Sequence, residues 1–261
     1  MFPLLGIVVG VSAGLLGIGG GLVMVGALTW ILPLHGIPKE AAMHAALASS
    51  LASIVLTAAS STRSHHQRGS VMWPTVAWMV PGLLLGGWLG SGLAVKIDDG
   101  VLRWIVAGYC FLIAAQMLFS SARAVEVTND IAPPRGWPMS AAGGVIGALS
   151  AIVGIGGGSM TVPLLTWRGV RPVRAVGTSS ACGIFIGLAS AAGYALQAPA
   201  GALPEHAVGY VYLPAAVGVA IASVLAAPYG TKLAHKLSGT ALKRVFAFFM
   251  IAVGLSVALG G

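Results

Sequence analysis

The sequence predicts an all-α polytopic membrane protein built from two homologous halves of four apolar segments each. Three observations carry that prediction. Only 8% of the 261 residues are charged, against 57% hydrophobic, and the mean hydropathy is +0.93. The charges are clumped, so that 1–38, 41–62, 69–95, 104–122, 136–167, 175–204, 206–231 and 245–261 carry none. A glycine-containing pattern in the first half also recurs in the second. Charge-free apolar stretches of about 18 residues or more read as spans of a roughly 30 Å hydrocarbon core. A soluble enzyme, a nucleic-acid binder and a disulfide scaffold are excluded by the same composition. The formal net charge of +8 is then the positive-inside signature of a membrane protein. Cys110 and Cys182 fall inside apolar segments and read as free thiols.

The repeat begins with Gly17-Ile18-Gly19-Gly20-Gly21, which returns as Gly154-Ile155-Gly156-Gly157-Gly158 at an offset of 137. Leu28-Thr29-Trp30 returns as Leu165-Thr166-Trp167 at the same offset. Gly36-Ile37 and Pro81 match Gly169-Val170 and Pro214 at 133, and Leu93-Ala94 with Lys96 matches Leu233-Ala234 with Lys236 at 140. Five ordered matches with small indels read as a duplication. The halves are 1–121 and 138–261, joined by the polar linker 122–137.

Taken in order, the first segment, 3–34, would make one helix about 45 Å long, well beyond a bilayer. The glycine run cuts it near the middle. Its opening Met-Phe-Pro-Leu-Leu lacks the basic start and cleavage site of a signal peptide, so it is expected to stay in the mature chain. Segments 41–62, 71–95 and 104–121 have ordinary span lengths. After the linker, 138–167 is again overlong and again cut by glycines, and 175–196, 208–230 and 243–260 follow as spans. Trp73, Trp104 and Trp137 sit near span ends, as interface anchors do. Gly82-x-x-x-Gly86 and Gly143-x-x-x-Gly147 are small-residue patterns suited to close helix packing.

Two topologies fit. Each broken segment either crosses as a discontinuous helix, making the halves parallel, or folds back as a re-entrant hairpin, making them inverted. The charges do not choose, since they put ten or 11 of the 14 Lys and Arg on one side. Legs near 20 Å favour the hairpin.

Broken backbone at membrane depth persists where its polar groups face protein, water or a ligand. The half-helix following each run presents free amides and a partial positive charge, and glycine lets an anion approach them closely. Gly19, Gly20, Gly21, Gly156, Gly157 and Gly158 are therefore expected to bind an anion, with Ser159 beside them. The alternative is that the glycines serve packing alone. Alanine at Gly20 or Gly157 is expected to weaken anion binding without disturbing insertion. Thr178 and Ser179 near the start of one second helix, and Ser49 and His44 in its counterpart, are further candidates. Their alternatives are bonds back to the helix for the hydroxyls and a neutral, satisfied ring for His44.

The six acids, Glu40, Asp98, Asp99, Glu126, Asp130 and Glu205, fall in loops or at span ends. Cation pumps commonly need an intramembrane carboxylate, so the pattern points to an anionic or neutral substrate. A nucleotide site is not expected, because the runs lack G-x-G-x-x-G and no Lys-Ser/Thr follows. A Ser/His protease pairing Ser159 with His206 or His235 is disfavoured by the loop position of both histidines.

Gly154-Ile-Gly156-Gly157-Gly158-x-x-x-x-Pro163, then Gly169-Val170 and Ala175-Val176-Gly177-Thr178-Ser179, resembles the TauE/SafE sulfite-exporter family over nearly the whole chain. The resemblance implies a multi-pass transporter of the bacterial or archaeal inner membrane, moving sulfite, a sulfonate or a related small anion. Two departures stand out: Gly26 where the second half has Pro163, and His44-Ala45-Ala46 in place of Gly-Thr-Ser. The expected partners are a small anionic substrate and the lipid bilayer, with no nucleic acid, cofactor or metal, and with a homodimer left open. A passive anion channel and a membrane-embedded enzyme or assembly factor are the alternatives to alternating access between the halves.

Overall fold

The computed structural model describes residues 1–16, 20–119, 132–234 and 239–259. Ten helices appear among them: α1 (Phe2–Leu16), α2 (Gly21–Ile31), α3 (Ala42–Gln67), α4 (Trp73–Ala94), α5 (Asp99–Phe119), α6 (Trp137–Val153), α7 (Gly158–Trp167), α8 (Pro172–Leu196), α9 (Leu213–Ala234) and α10 (Gly239–Leu259). A small antiparallel hairpin of β1 (Ala207–Val208) and β2 (Val211–Tyr212) lies between α8 and α9. Three of the described helices are long and apolar enough to cross a membrane: Lys39–Gln67, Trp73–Ala94 and Pro172–Leu196. The shorter apolar ones include Phe2–Ala13, Gly21–Ile31 and Trp137–Val153.

Helix starts follow local chemistry. Proline stands in the first turn of α4, α6 and α8, where its missing N–H is no loss. The first turn of α5 carries Asp99, whose charge suits a helix N-terminus. That helix therefore begins five residues before the expected 104. In the other direction, α9 starts at Leu213 and not at 208. Gly209, at φ +56, turns the chain between Val208 and Val211, and the hairpin takes up the residues in between.

Both glycine-cut segments fold back. The Phe2 ring, at the start of α1, packs 4.8 Å from that of His35, just past the end of α2. Gly20 lies against Val9 of α1. In the second pair, Leu165 and Val170 at the end of α7 pack with Met72, immediately before α4. The start of α6 lies at the same end, because Ser140 donates to the Trp78 carbonyl.

Small residues bring the long helices into backbone contact. Gly82, Gly86 and Gly90 of α4 face Ser140, Gly144 and Ala148 of α6 in the same order, so the two helices run parallel. Gly6 and Gly10 of α1 face Val219–Ala222 and Ser223–Ala226 of α9 in the same way. Helices α3 and α8 cross antiparallel through the centre. Gly187 sits over the Leu51 carbonyl, Gly183 over Ala58, and the Ser61 and Ser180 hydroxyls meet at 3.0 Å. Helix α10 closes the bundle against α5, with Gly254 on Cys110 and Phe111, and Trp30 of α2 donates to Ser256.

Burial separates a dry centre from an apolar exterior. Residues 42–51 of α3 are all buried. Val217, Ile221 and Leu225, one turn apart on α9, are 47%, 56% and 70% exposed. An apolar stripe of that kind suits lipid. Trp73, Trp104 and Trp137 are likewise exposed.

Candidate functional site

The two fold-backs meet. Gly154, at φ +77, ends α6 with its own N–H and that of Ile155 on the Ser150 carbonyl, the left-handed stop glycine supplies without strain. Gly157, at φ +74, precedes α7, and its carbonyl accepts from Met160 and Thr161. Gly20 precedes α2, and its carbonyl accepts from Met24. Neither half-helix has a side-chain cap, so the first amides of α2 and α7 are left as donors.

Ser50, on the central helix α3, ties these ends together. Its hydroxyl faces the Gly21 carbonyl at 3.1 Å and the Gly154 carbonyl at 3.0 Å. A Cβ on Gly21 would stand 2.7 Å from the Gly154 oxygen, so only glycine allows this approach. Ile54 of α3 covers Gly21 and Gly156, and Gly183 of α8 covers the Gly156 carbonyl.

Three more polar groups surround the second tip. The Ser159 hydroxyl bonds the Tyr109 phenol at 2.5 Å. Ser150 and Thr161 are fully buried and their hydroxyls have no partner among the described residues. The Ser150 oxygen is 3.4 Å from where a Gly157 Cβ would be. Thr62, Thr75 and Ser190 are buried without partners too, so an open hydrogen bond alone does not mark a site. Beside the uncapped start of α7, it does supply extra donors for an anion.

Gly20, Gly21, Gly156, Gly157, Gly158 and Ser159 thus lie at or beside the tips; Gly19 lies outside the described residues. Of the other candidates, Thr178, Ser49 and His44 are engaged elsewhere. Thr178 accepts the Met72 amide at 3.0 Å, and Ser49 accepts the Tyr212 amide at 3.0 Å. Ser179 is buried on α8. His44 sits about two turns from Ser50 toward the start of α3, against Asp99 and under Tyr210. The single-residue difference between Ser49 and Ser50 is a rotation of about 100° on the helix, which sequence without a packing partner does not resolve. Ser150 and Thr161 carried only one signal, their places four residues before and three after the second run, and Tyr109 carried none.

The alanine expectation also needs correction. At Gly20 a Cβ would overlap Val9, including its carbonyl at 2.7 Å, and Gly157 combines a left-handed φ with a contact 2.5 Å from Ile186. Alanine at either position strains the fold before it meets any ligand. Gly156 is milder, with Ile54 at 3.1 Å as its nearest neighbour.

A family model described as sulfite exporter TauE/SafE matches residues 2–257. A probable membrane transporter protein of Haemophilus influenzae is 34% identical over 258 residues, covering 98% of this chain and 96% of its own. A probable membrane transporter protein of Methanocaldococcus jannaschii is 26% identical over 263 residues, covering 99% and 96%. One from Xylella fastidiosa is 27% identical over 253 residues, covering 95% and 90%. No solved structure matches the chain. With its apolar helices and a match along nearly its whole length, the chain belongs to the TauE/SafE family of membrane transporters.

Proposed function

We propose that the protein carries a small sulfur-containing oxyanion, sulfite or an organosulfonate, across the bacterial or archaeal inner membrane by alternating access. The observation that supports it best is the meeting of two broken segments at Ser50, with uncapped helix starts and the free hydroxyls of Ser150 and Thr161 beside them. Amides and hydroxyls replace the hydration of an anion without adding a full cation. Gly156, Gly158, Ser159 and Ser150 form the core of the proposed site, and Gly20 and Gly21 shape its other wall.

The packing supports two inverted repeats, 1–121 and 138–261, with 122–137 as linker. Exchanging the halves exchanges the α1–α9 contact with the α4–α6 contact, and returns α3–α8 and α5–α10 onto themselves. The antiparallel crossing of α3 and α8 fits a two-fold axis in the membrane plane. Arg68, Arg135, Arg168, Arg171 and Arg174 gather at the end where α4 and α8 begin, which the positive-inside rule makes cytoplasmic. The hydroxyls at the tip are sealed from solvent, as suits a gated carrier better than an open pore.

Proteoliposome uptake tests this reading, with sulfite, thiosulfate, short sulfonates and carboxylates as the panel. Saturable uptake of a sulfur oxyanion, weakened by Ser150→Ala, is the expected result. Flux that never saturates favours a channel, and absence of uptake for the whole panel contradicts the substrate class.

A further inference from the structure

At the end of the bundle opposite the arginines, three charged or titratable side chains are buried together. His44, Asp99 and Arg103 are 4%, 9% and 7% exposed. The Asp99 carboxylate accepts from the Met43 amide at 2.8 Å, the His44 amide at 3.3 Å and Arg103 Nε at 2.9 Å. His44 Nδ1 lies 3.2 Å from the same carboxylate. Three of these donors converge on one carboxylate oxygen and the Arg103 guanidinium holds the other.

The histidine is the unusual member. Its Nδ1 faces Asp99, while Nε2 faces the Ala94 carbonyl of α4 at 3.0 Å. Both partners are acceptors. A neutral imidazole has one N–H and would leave one nitrogen lone pair against an oxygen, whereas the imidazolium donates to both. The geometry is therefore that of a site with the proton on. Removing the proton opens the Nε2–Ala94 contact first, because the Asp99 charge holds the proton at Nδ1.

The surroundings make that event consequential. Tyr210 of the β-hairpin stacks on the ring at 4.9 Å, and the neighbouring Tyr212 amide is held by Ser49 of α3. Arg103 Nη2 donates to the Lys39 carbonyl in the turn before α3, and its Nη1 has no partner among the described residues. The groups facing His44 are thus Asp99 and Arg103 from α5, Tyr210 from the hairpin and only a carbonyl from α4. Lys39, Glu40, Lys96 and Asp98 are exposed around the same end. One proton on His44 joins α3, α4, α5 and the hairpin, and Ser50, which ties the glycine tips, is on the same helix.

We propose that His44, oriented by Asp99, is the proton-binding site that couples anion movement to a proton gradient. The coupling rests on the transport reading above; proton binding by itself does not. The proton is taken up from water on one side of the membrane and released to water on the other as the repeats alternate, and no other bond changes.

Two measurements on the full-length protein separate the claims. In protein labelled with 15N-histidine in lipid nanodiscs, the ring signals missing from His44→Gln identify His44. They should show two protonated nitrogens at the acid end of a pH series and a single proton, kept on Nδ1, at the alkaline end. A single-proton ring unchanged across that range overturns the proposal. Should His44→Gln fail to fold, Asp99→Asn gives the assignment by shifting the same signals. In proteoliposomes containing a pH dye, an inward acid gradient should drive uptake of any panel anion that enters, with protons moving alongside. His44→Gln should lose the gradient-driven part and keep anion exchange. Equal gradient-driven uptake in wild type and variant also overturns the proposal. If no panel anion enters at all, the transport reading falls, and the nitrogen signals still decide the proton site.

Discussion

Replacing Ser50 with alanine removes one oxygen and nothing else from the place where the two broken segments meet. The lost hydroxyl faces two carbonyls, Gly21 at 3.1 Å and Gly154 at 3.0 Å. Gly154 ends α6, so its carbonyl has no continuing turn to bond with. Side-chain hydrogen bonds within membrane bundles average about 0.6 kcal/mol and reach about 1.7. Sharing one proton between two acceptors, one of them past the end of its helix, gives an expected loss of about 1–2 kcal/mol. At this chain length that is a fall of roughly 2–8 °C in melting temperature. No cavity term of note adds to it, because only a hydroxyl is removed. The assay is thermal unfolding in detergent for Ser50→Ala beside Ser49→Ala, whose lost partner is the Tyr212 amide of the hairpin. Both variants should melt lower, and only Ser50→Ala should also weaken anion binding. A Ser50→Ala protein with wild-type melting and wild-type affinity would refute the claim that this residue holds the tips together.

Other consequences can be measured alongside. Alanine at Gly82 or Gly86 pushes a Cβ into the backbone of α6 at Ser140 and Gly144. Each should cost about 1–3 kcal/mol or more and reduce folded yield, while survivors bind anion normally. With the buried Cys110 and Cys182 removed, a cysteine at Gly100, where nothing crowds it, should react with an impermeant reagent from outside the cell. One at Arg168, exposed at the opposite end, should react only after permeabilisation; the reverse pattern would invert the proposed orientation. Hydrogen exchange of residues 205–212 should be faster in His44→Gln than in wild type under acid conditions and converge with it under alkaline ones. An equal difference at both would make His44 a peg that ignores the proton.

Much of this architecture is legible in the chain because the bilayer constrains it. Charge-free lengths mark the helices, and overlong segments with glycine runs mark the breaks. Gly82, Gly86, Gly143 and Gly147 announce a helix seam that α4 and α6 form. The sense of the fold-back was not legible from loop charges, which fit both topologies almost equally. It is fixed by contacts such as Phe2 on His35, between residues 33 apart in sequence. The site was legible to the level of the glycine runs and no finer. Ser49 and Ser50 look alike in sequence, yet one holds a hairpin and the other joins the tips. Asp99 reads as a loop acid at a span end, and only the return of α5 against α3 buries it beside His44. Polar groups that act across helices leave no local pattern to read.

The central claim is that an anion sits at the glycine tips, and Ser150 tests it most directly. Its hydroxyl is fully buried and has no partner among the described residues. Exchanging it for alanine removes an unsatisfied polar group, a change that is neutral or stabilising in the empty protein. If the hydroxyl is kept for the anion, the same exchange weakens binding. The measurement is the thermal shift of wild type, Ser150→Ala and Thr161→Val across a concentration series of the transported oxyanion, with the anion-free melting temperature of each. Stabilisation should grow with the logarithm of anion concentration in wild type. The account predicts variants that melt at or above wild type without anion and need more anion to gain the same shift. Unchanged affinity in both variants, with the wild type responding normally, would contradict it and place the anion elsewhere.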